Sequence, residues 1–241
     1  MSKINAVRLI NVNYNNNAYR ISDETLHFNG ESTLISLQNG GGKSVLVQML
    51  TAPFVHPRYR NTKDRLFESY FTTNKPSFIL VEWALDQGAG YVLTGLMVRK
   101  SQDMEEDRKE NLDIIGIVSE YQSPCIQDIY HLPVVEKGKK EMILKNFNSC
   151  RQLFETYKKD RDMKFFYYDL TNYAQSRQYF DKLMEYQINY KEWETIIKKI
   201  NLKESGLSDL FADCRDEKGL TEKWFLEAIE SKLNKDKNRI K

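Results

Sequence analysis

The chain has 241 residues, enough for one large domain or two small ones with a sizeable core. Hydrophobic residues make up 41% and charged residues 29%, which excludes bulk disorder, and no run approaches the ~18 consecutive apolar residues of a membrane helix. The 36 basic and 34 acidic residues leave a net charge of +2, which excludes wholesale electrostatic capture of nucleic acid but leaves room for a local basic face.

The N-terminus, Met1-Ser2-Lys3-Ile4-Asn5-Ala6-Val7-Arg8, lacks the apolar core of a secretory signal, so a cytoplasmic protein in a reducing compartment is expected. Cys125, Cys150 and Cys214 are widely spaced and form no C-x-x-C pair, which reads as free thiols. His27, His56 and His131 stand apart from one another and from the cysteines, so no zinc pattern emerges.

Taken in order, residues 4–12 alternate apolar and polar and predict a first strand. Asn11, Asn13, Asn15, Asn16 and Asn17 then make a turn-rich segment. Residues 18–21 and 25–28 read as short strands of a meander, with Asn29-Gly30 as a two-residue turn into another strand over 32–37. Next comes Ser36-Leu37-Gln38-Asn39-Gly40-Gly41-Gly42-Lys43-Ser44, followed by Val45, Leu46, Met49 and Leu50 at helical spacing. Strand, glycine loop and helix is the context of a phosphate-binding loop.

The residue types suit that chemistry. Glycines let consecutive backbone amides turn inward around an anion. Gln38, Asn39, Gly40, Gly41 and Gly42 would form the cradle, Lys43 would reach the terminal phosphates, and the Ser44 hydroxyl would sit on Mg²⁺. ATP and Mg²⁺ are the expected cofactors. The pattern G-x-x-x-x-G-K-[ST] asks for glycine where this chain has Leu37. The competing reading is a glycine-rich turn before an incidental Lys-Ser on a solvated helix start.

The helix from Ser44 is expected to end near Pro53, because the residue before proline avoids the helical region. His56, Arg58, Arg60, Lys63 and Arg65 follow, with Tyr59 and Phe67 interleaved. They read either as a solvated face or as a surface where an arginine approaches nucleotide phosphate or DNA backbone. Residues 78–85 and 91–99 predict the clearest hairpin in the chain. Residues 101–111 read as a polar surface loop, 112–118 as a strand, and 129–135 as a strand placed at an edge by Pro133. Residues 142–157 predict an amphipathic helix and 164–168 a short buried strand. Tyr179, Phe180, Leu183 and Met184 mark a further helical face, as do Trp193, Ile196, Ile197 and Ile200. After the interruption at residues 201–208, Leu220, Trp224, Phe225, Ile229 and Leu233 form a last amphipathic run toward a highly charged end.

A strand meander, the loop Gln38-Asn39-Gly40-Gly41-Gly42-Lys43-Ser44, a β-rich lobe and helices running to a charged end together resemble the N-terminal half-head of SMC-like ATPases. The layout is closest to MukB-like and plasmid-defence members. The resemblance implies an α/β fold, a P-loop NTPase of the ABC-ATPase type: an N-terminal lobe with an antiparallel β-meander plus core sheet and flanking helices. It makes residues 1–241 one half-head, strand-rich over 1–135 and helix-rich over 140–241, leading toward a coiled coil.

The same resemblance implies that the signature motif, the acidic strand and the catalytic glutamate come from the C-terminal half of the head, and nothing in this chain matches them. No catalytic residue is therefore assigned here; the fragment is expected to bind ATP without turning it over. Expected partners are that C-terminal half, a second copy through an ATP-sandwiched head dimer, the DNA backbone, and accessory subunits. No membrane is expected, and the setting is the nucleoid. Asn13 and Arg20 could reach the nucleotide, and Gln122 or Gln187 could be the metal-sensing glutamine of such heads. DNA-contact candidates are Arg58, Arg60, Lys63 and Arg65, then Lys137, Lys139 and Lys140. Alternatives are a self-contained P-loop kinase or GTPase, for which an acidic strand end and a base-recognition loop are lacking, and a non-catalytic scaffold with a degenerate loop.

Overall fold

A computed structural model of the chain describes residues 2–14, 16–38, 41–61, 65–101, 111–137 and 142–200. The chain divides into two units, Met1–Trp193 and Glu194–Lys241. The late helical run and the charged end lie outside the described residues, as do residues 102–110 of the polar loop.

The first unit is a mixed α and β structure on an antiparallel six-stranded sheet, in the order β2-β1-β3-β4-β5-β8. β1 (Lys3–Tyr14) and β2 (Tyr19–His27) form a hairpin that keeps one register from Tyr14↔Tyr19 to Ala6↔His27. The two short strands expected over 18–21 and 25–28 are therefore one. Asn16 and Asn17 both take positive φ in the connecting turn, a conformation asparagine tolerates better than most residues. The Asn29-Gly30 turn forms as expected, with both residues at positive φ and Glu31 N donating to Phe28 O at 2.9 Å.

β3 (Ser77–Ala84), β4 (Tyr91–Lys100) and β5 (Leu112–Tyr121) are the central strands. Their near-continuous apolar runs are buried because both sheet faces are covered. On one face Ile10, Phe78, Leu80, Met97, Ile115 and Ile117 pack with Ile129, Leu132 and Val134 and with Phe147, Cys150 and Phe154 of α2 (Phe147–Lys159). On the other lie α1 (Lys43–Thr51) and α3 (Tyr173–Glu185). Gly116 of β5 admits α3: a Cβ there would come within 2.7 Å of the Tyr179 ring. Phe54 meets Trp83 edge-on with ring centroids 5.2 Å apart, and the Tyr179 hydroxyl donates to Pro53 O at 2.7 Å.

β8 (Lys164–Asp169) completes the sheet beside β5 as the short strand expected there, and α4 (Tyr190–Ile200) follows α3. Two expectations need correction. Residues 129–135 are not an edge strand, because the Asp128 carboxylate accepts from Cys125 N, Tyr130 N and His131 N at 2.7–2.9 Å and folds the segment into turns. Its apolar side chains reach the core from a loop. The helix expected over 142–157 begins only at Phe147, where Asn146 caps it by accepting from Ser149 N at 2.8 Å. Before it, β7 (Met142–Leu144) pairs with β6 (Val135–Lys137) in a separate ribbon.

Arg8 and Glu82 are charged groups inside the fold that find partners. The Arg8 guanidinium grips both Asp23 oxygens at 2.7 Å and donates to Ile129 O at 2.9 Å. Glu82, 3% exposed in the middle of β3, accepts from Asn5 Nδ2 at 2.6 Å and from the Tyr121 hydroxyl. Burial and the facing Glu82 carboxylate push the Tyr121 phenol far above its ordinary value.

Candidate nucleotide-binding site

The strand expected over residues 32–37 is absent. The stretch is irregular, and Leu34 is 95% exposed. Its β-branched residues suit a strand, but a strand also needs a neighbour to take its backbone hydrogen bonds, and the sheet's ladders contain no place for it.

From Gln38 the chain turns sharply, with Gly41 N donating to Gln38 O at 2.9 Å. Asn39 and Gly40 lie outside the described residues. Gly42 is the N-cap of α1 at φ 86, ψ 17, a left-handed conformation that glycine adopts without penalty. No side chain caps this end, and the first turn of α1 carries no acid. The amides at the start of α1 and the positive end of its dipole are thus left for an outside anion. Lys43 opens the helix and reaches back over the loop, its Nζ donating to Leu37 O at 2.8 Å. Ser44 is exposed beside it in the first turn.

The loop residues thus converge: Gln38, Gly41, Gly42, Lys43 and Ser44 surround one helix N-terminus. Asn13 and Arg20 do not join them through their side chains. Asn13 is 6% exposed and donates to Thr72 Oγ1 at 2.9 Å, while Arg20 donates to Asn11 Oδ1 at 2.9 Å. The neighbouring Tyr14 does join, because a Cβ on Gly42 would sit 3.6 Å from its ring. Tyr14 stacks on its cross-strand partner Tyr19, centroids 5.3 Å apart, and Tyr19 is 54% exposed. Sequence reading missed Tyr14. The signal was a tyrosine on each side of an asparagine turn, which a single continuous hairpin would have paired.

The basic segment splits in two. Arg58 is exposed with its guanidinium 4.7 Å from the Tyr59 ring centroid, and Arg65 is also exposed. Arg60 is 1% exposed, its Nε donating to Ala52 O at 3.1 Å and its guanidinium 5.7 Å from the Phe67 ring. It therefore serves the end of α1 and does not present a DNA-facing surface. Lys63 lies outside the described residues, as do Lys139 and Lys140; Lys137 ends β6. Gln122 lies in the loop after β5 and Gln187 in the turn after α3, both exposed.

Among the described residues, no group of three or more His, Cys, Asp or Glu side chains could hold a metal. Cys125 and Cys150 are free thiols; Cys214 lies outside the described residues. The donor set at α1 nonetheless suits Mg²⁺ brought by a nucleotide, since the exposed Ser44 hydroxyl is the type of ligand such an ion takes alongside phosphate oxygens. No helix among the described residues is long and apolar enough to cross a membrane. No protein-family model matches the chain, and no curated protein matches its sequence.

Proposed function

We propose that the chain is the ATP-binding N-terminal part of an SMC-like, ABC-type ATPase head that works on DNA in chromosome maintenance, repair or defence against foreign DNA. The observation that carries this reading is the uncapped, acid-free start of α1 at the left-handed Gly42, with Lys43 arched over the loop. Backbone amides and the helix dipole bind the phosphates, Lys43 neutralises the terminal ones, and Ser44 holds Mg²⁺. The Tyr14–Tyr19 stack beside Gly42 offers a flat aromatic face to the base.

The exposed stretch 32–37 supports the composite-head part of the proposal. A β-branched, apolar run with Leu34 in solvent is suited to pair with a strand from the C-terminal half of the head. That half supplies the acidic residues of hydrolysis, and a second head closes over the nucleotide. Arg58 and Arg65 are the remaining described candidates of the basic segment for DNA phosphate, in a nucleoid-associated cytoplasmic protein with accessory subunits.

Isothermal titration of residues 1–241 with ATP and Mg²⁺ tests the core of the proposal. Binding without turnover is expected, with loss of binding in Lys43→Ala. Heat unchanged by that substitution would sink the site assignment; robust hydrolysis by the wild-type chain would sink the composite head.

A further inference from the structure

One buried side chain joins the helix that begins at the phosphate loop to the basic segment. Gln48 projects from the middle of α1 and is 4% exposed. Its Nε2 donates to Arg60 O at 2.6 Å and its Oε1 accepts from the Tyr70 hydroxyl at 2.7 Å. The link is returned from the other side, since Arg60 Nε donates to Ala52 O just past the last turn of α1. Arg65 extends it toward solvent through charge and hydrogen bonding at the Tyr70 phenol. Residues 57–61 and 65–70 are otherwise short 3-10 turns and irregular chain, with no strand ladder of their own. They are fixed by α1, by the packing of residues 67–70 against β1, by Phe67 N donating to Asn61 Oδ1 at 2.7 Å, and by the aromatic contacts of Phe67, Tyr70 and Phe71.

Building on nucleotide binding at Gly42–Ser44, we infer that Gln48 is a positioning residue that transmits phosphate occupancy at the start of α1 to the segment carrying Arg58 and Arg65. A nucleotide must draw Lys43 away from Leu37 O and engage the first amides of α1, which restrains the helix as a body. Both ends of the Gln48 amide are buried and bonded to the basic segment. Releasing either would leave a polar group unsatisfied away from water, so the segment is held with the helix. The consequence is that phosphate binding stiffens the surface presenting the two arginines.

Hydrogen exchange on the 241-residue chain, with and without ATP and Mg²⁺, tests this. In the wild type, nucleotide should slow exchange of amides 58–61 and 65–70 by about tenfold. Gln48→Met, close in volume, should keep nucleotide affinity within about twofold yet lose that slowing. Tyr70→Phe removes the Oε1 bond, and with it the Arg65 contact at the phenol, but keeps the Nε2 bond to Arg60 O, and should lose part of the slowing; it also guards against a Gln48 variant that fails to fold. A structural role alone would raise exchange equally with and without nucleotide. If the wild type binds nucleotide but the segment is unchanged, or if Gln48→Met keeps the slowing, the coupling is overturned while nucleotide binding stands. If the wild type binds no nucleotide, the site itself falls, and the coupling with it.

Discussion

The six-stranded sheet and the stretch from Glu31 to Ser44 are built on opposite principles. In the sheet the central backbone groups are paired, both faces of the central strands are covered, and even the buried Glu82 has two donors. Around the glycine loop the chain is built differently: an apolar run in solvent, a helix start with no cap and no acid, and a lysine whose Nζ donates to the loop carbonyl of Leu37. The sheet is satisfied by what the first unit contains. The loop has the character of a surface completed by something that binds it.

Substitutions should separate the two regions sharply. The largest effect is expected for Phe78→Ala, which empties a fully buried site in the sheet core and should lower stability by about 3–5 kcal/mol in denaturant unfolding. Leu34→Ser, a hydrophobic residue of similar prominence in the sequence, should change it by less than about 0.5 kcal/mol. A large loss at Leu34 would mean that the 32–37 stretch is packed in solution. Tyr121→Phe removes a donor from buried Glu82 and should cost about 1–3 kcal/mol.

Alkaline pH should also act on the sheet side. Burial pushes the Cys150 thiol up to about 12 from about 9, and raises the Tyr121, Tyr179 and Tyr186 phenols. The folded chain favours the protonated forms, so their contribution is complete below the unfolded values and is lost as pH climbs from about 9 toward about 12. Cys150→Ala should flatten the first part of that decline in a melting series across pH; an unchanged slope would show that the thiol contributes nothing to it.

At the loop, Gly42→Ala places a Cβ at φ 86 and should cost about 1–2 kcal/mol while weakening ATP binding, read by calorimetry on one sample. The smallest stability change is expected for Arg58→Glu, under about 0.5 kcal/mol, yet this variant should flatten the salt dependence of DNA binding in an assembled head. Arg60→Ala should do the reverse, losing about 2–3 kcal/mol of stability with no separate effect on the salt slope.

Legibility in the sequence followed how local the deciding forces were. The turn at Asn29-Gly30, the hairpin over β3 and β4, the β8 strand, and the helices α1, α3 and α4 were readable because turn chemistry and side-chain period act over a few residues. The run 129–135 was misread because its apolar content resembled a strand, whereas one carboxylate, Asp128, had captured its amides. Residues 142–146 were misread because β6 offered Met142–Leu144 a partner and Asn146 set the helix start. The candidate site was legible as a string, but Tyr14 and the burial of Arg60 were not, since both depend on segments distant in the chain.

By itself, then, the sequence determined the glycine loop with its Lys43-Ser44 ending and most of the strand and helix inventory, all set by backbone freedom and short-range periodicity. Only the tertiary structure decided that residues 32–37 find no strand partner, that Arg60 turns inward while Arg58 and Arg65 face solvent, and that Gln48 ties the loop's helix to them. The physical reason is that burial and pairing belong to contacts between distant segments, and a side chain's chemistry does not say which neighbour will meet it.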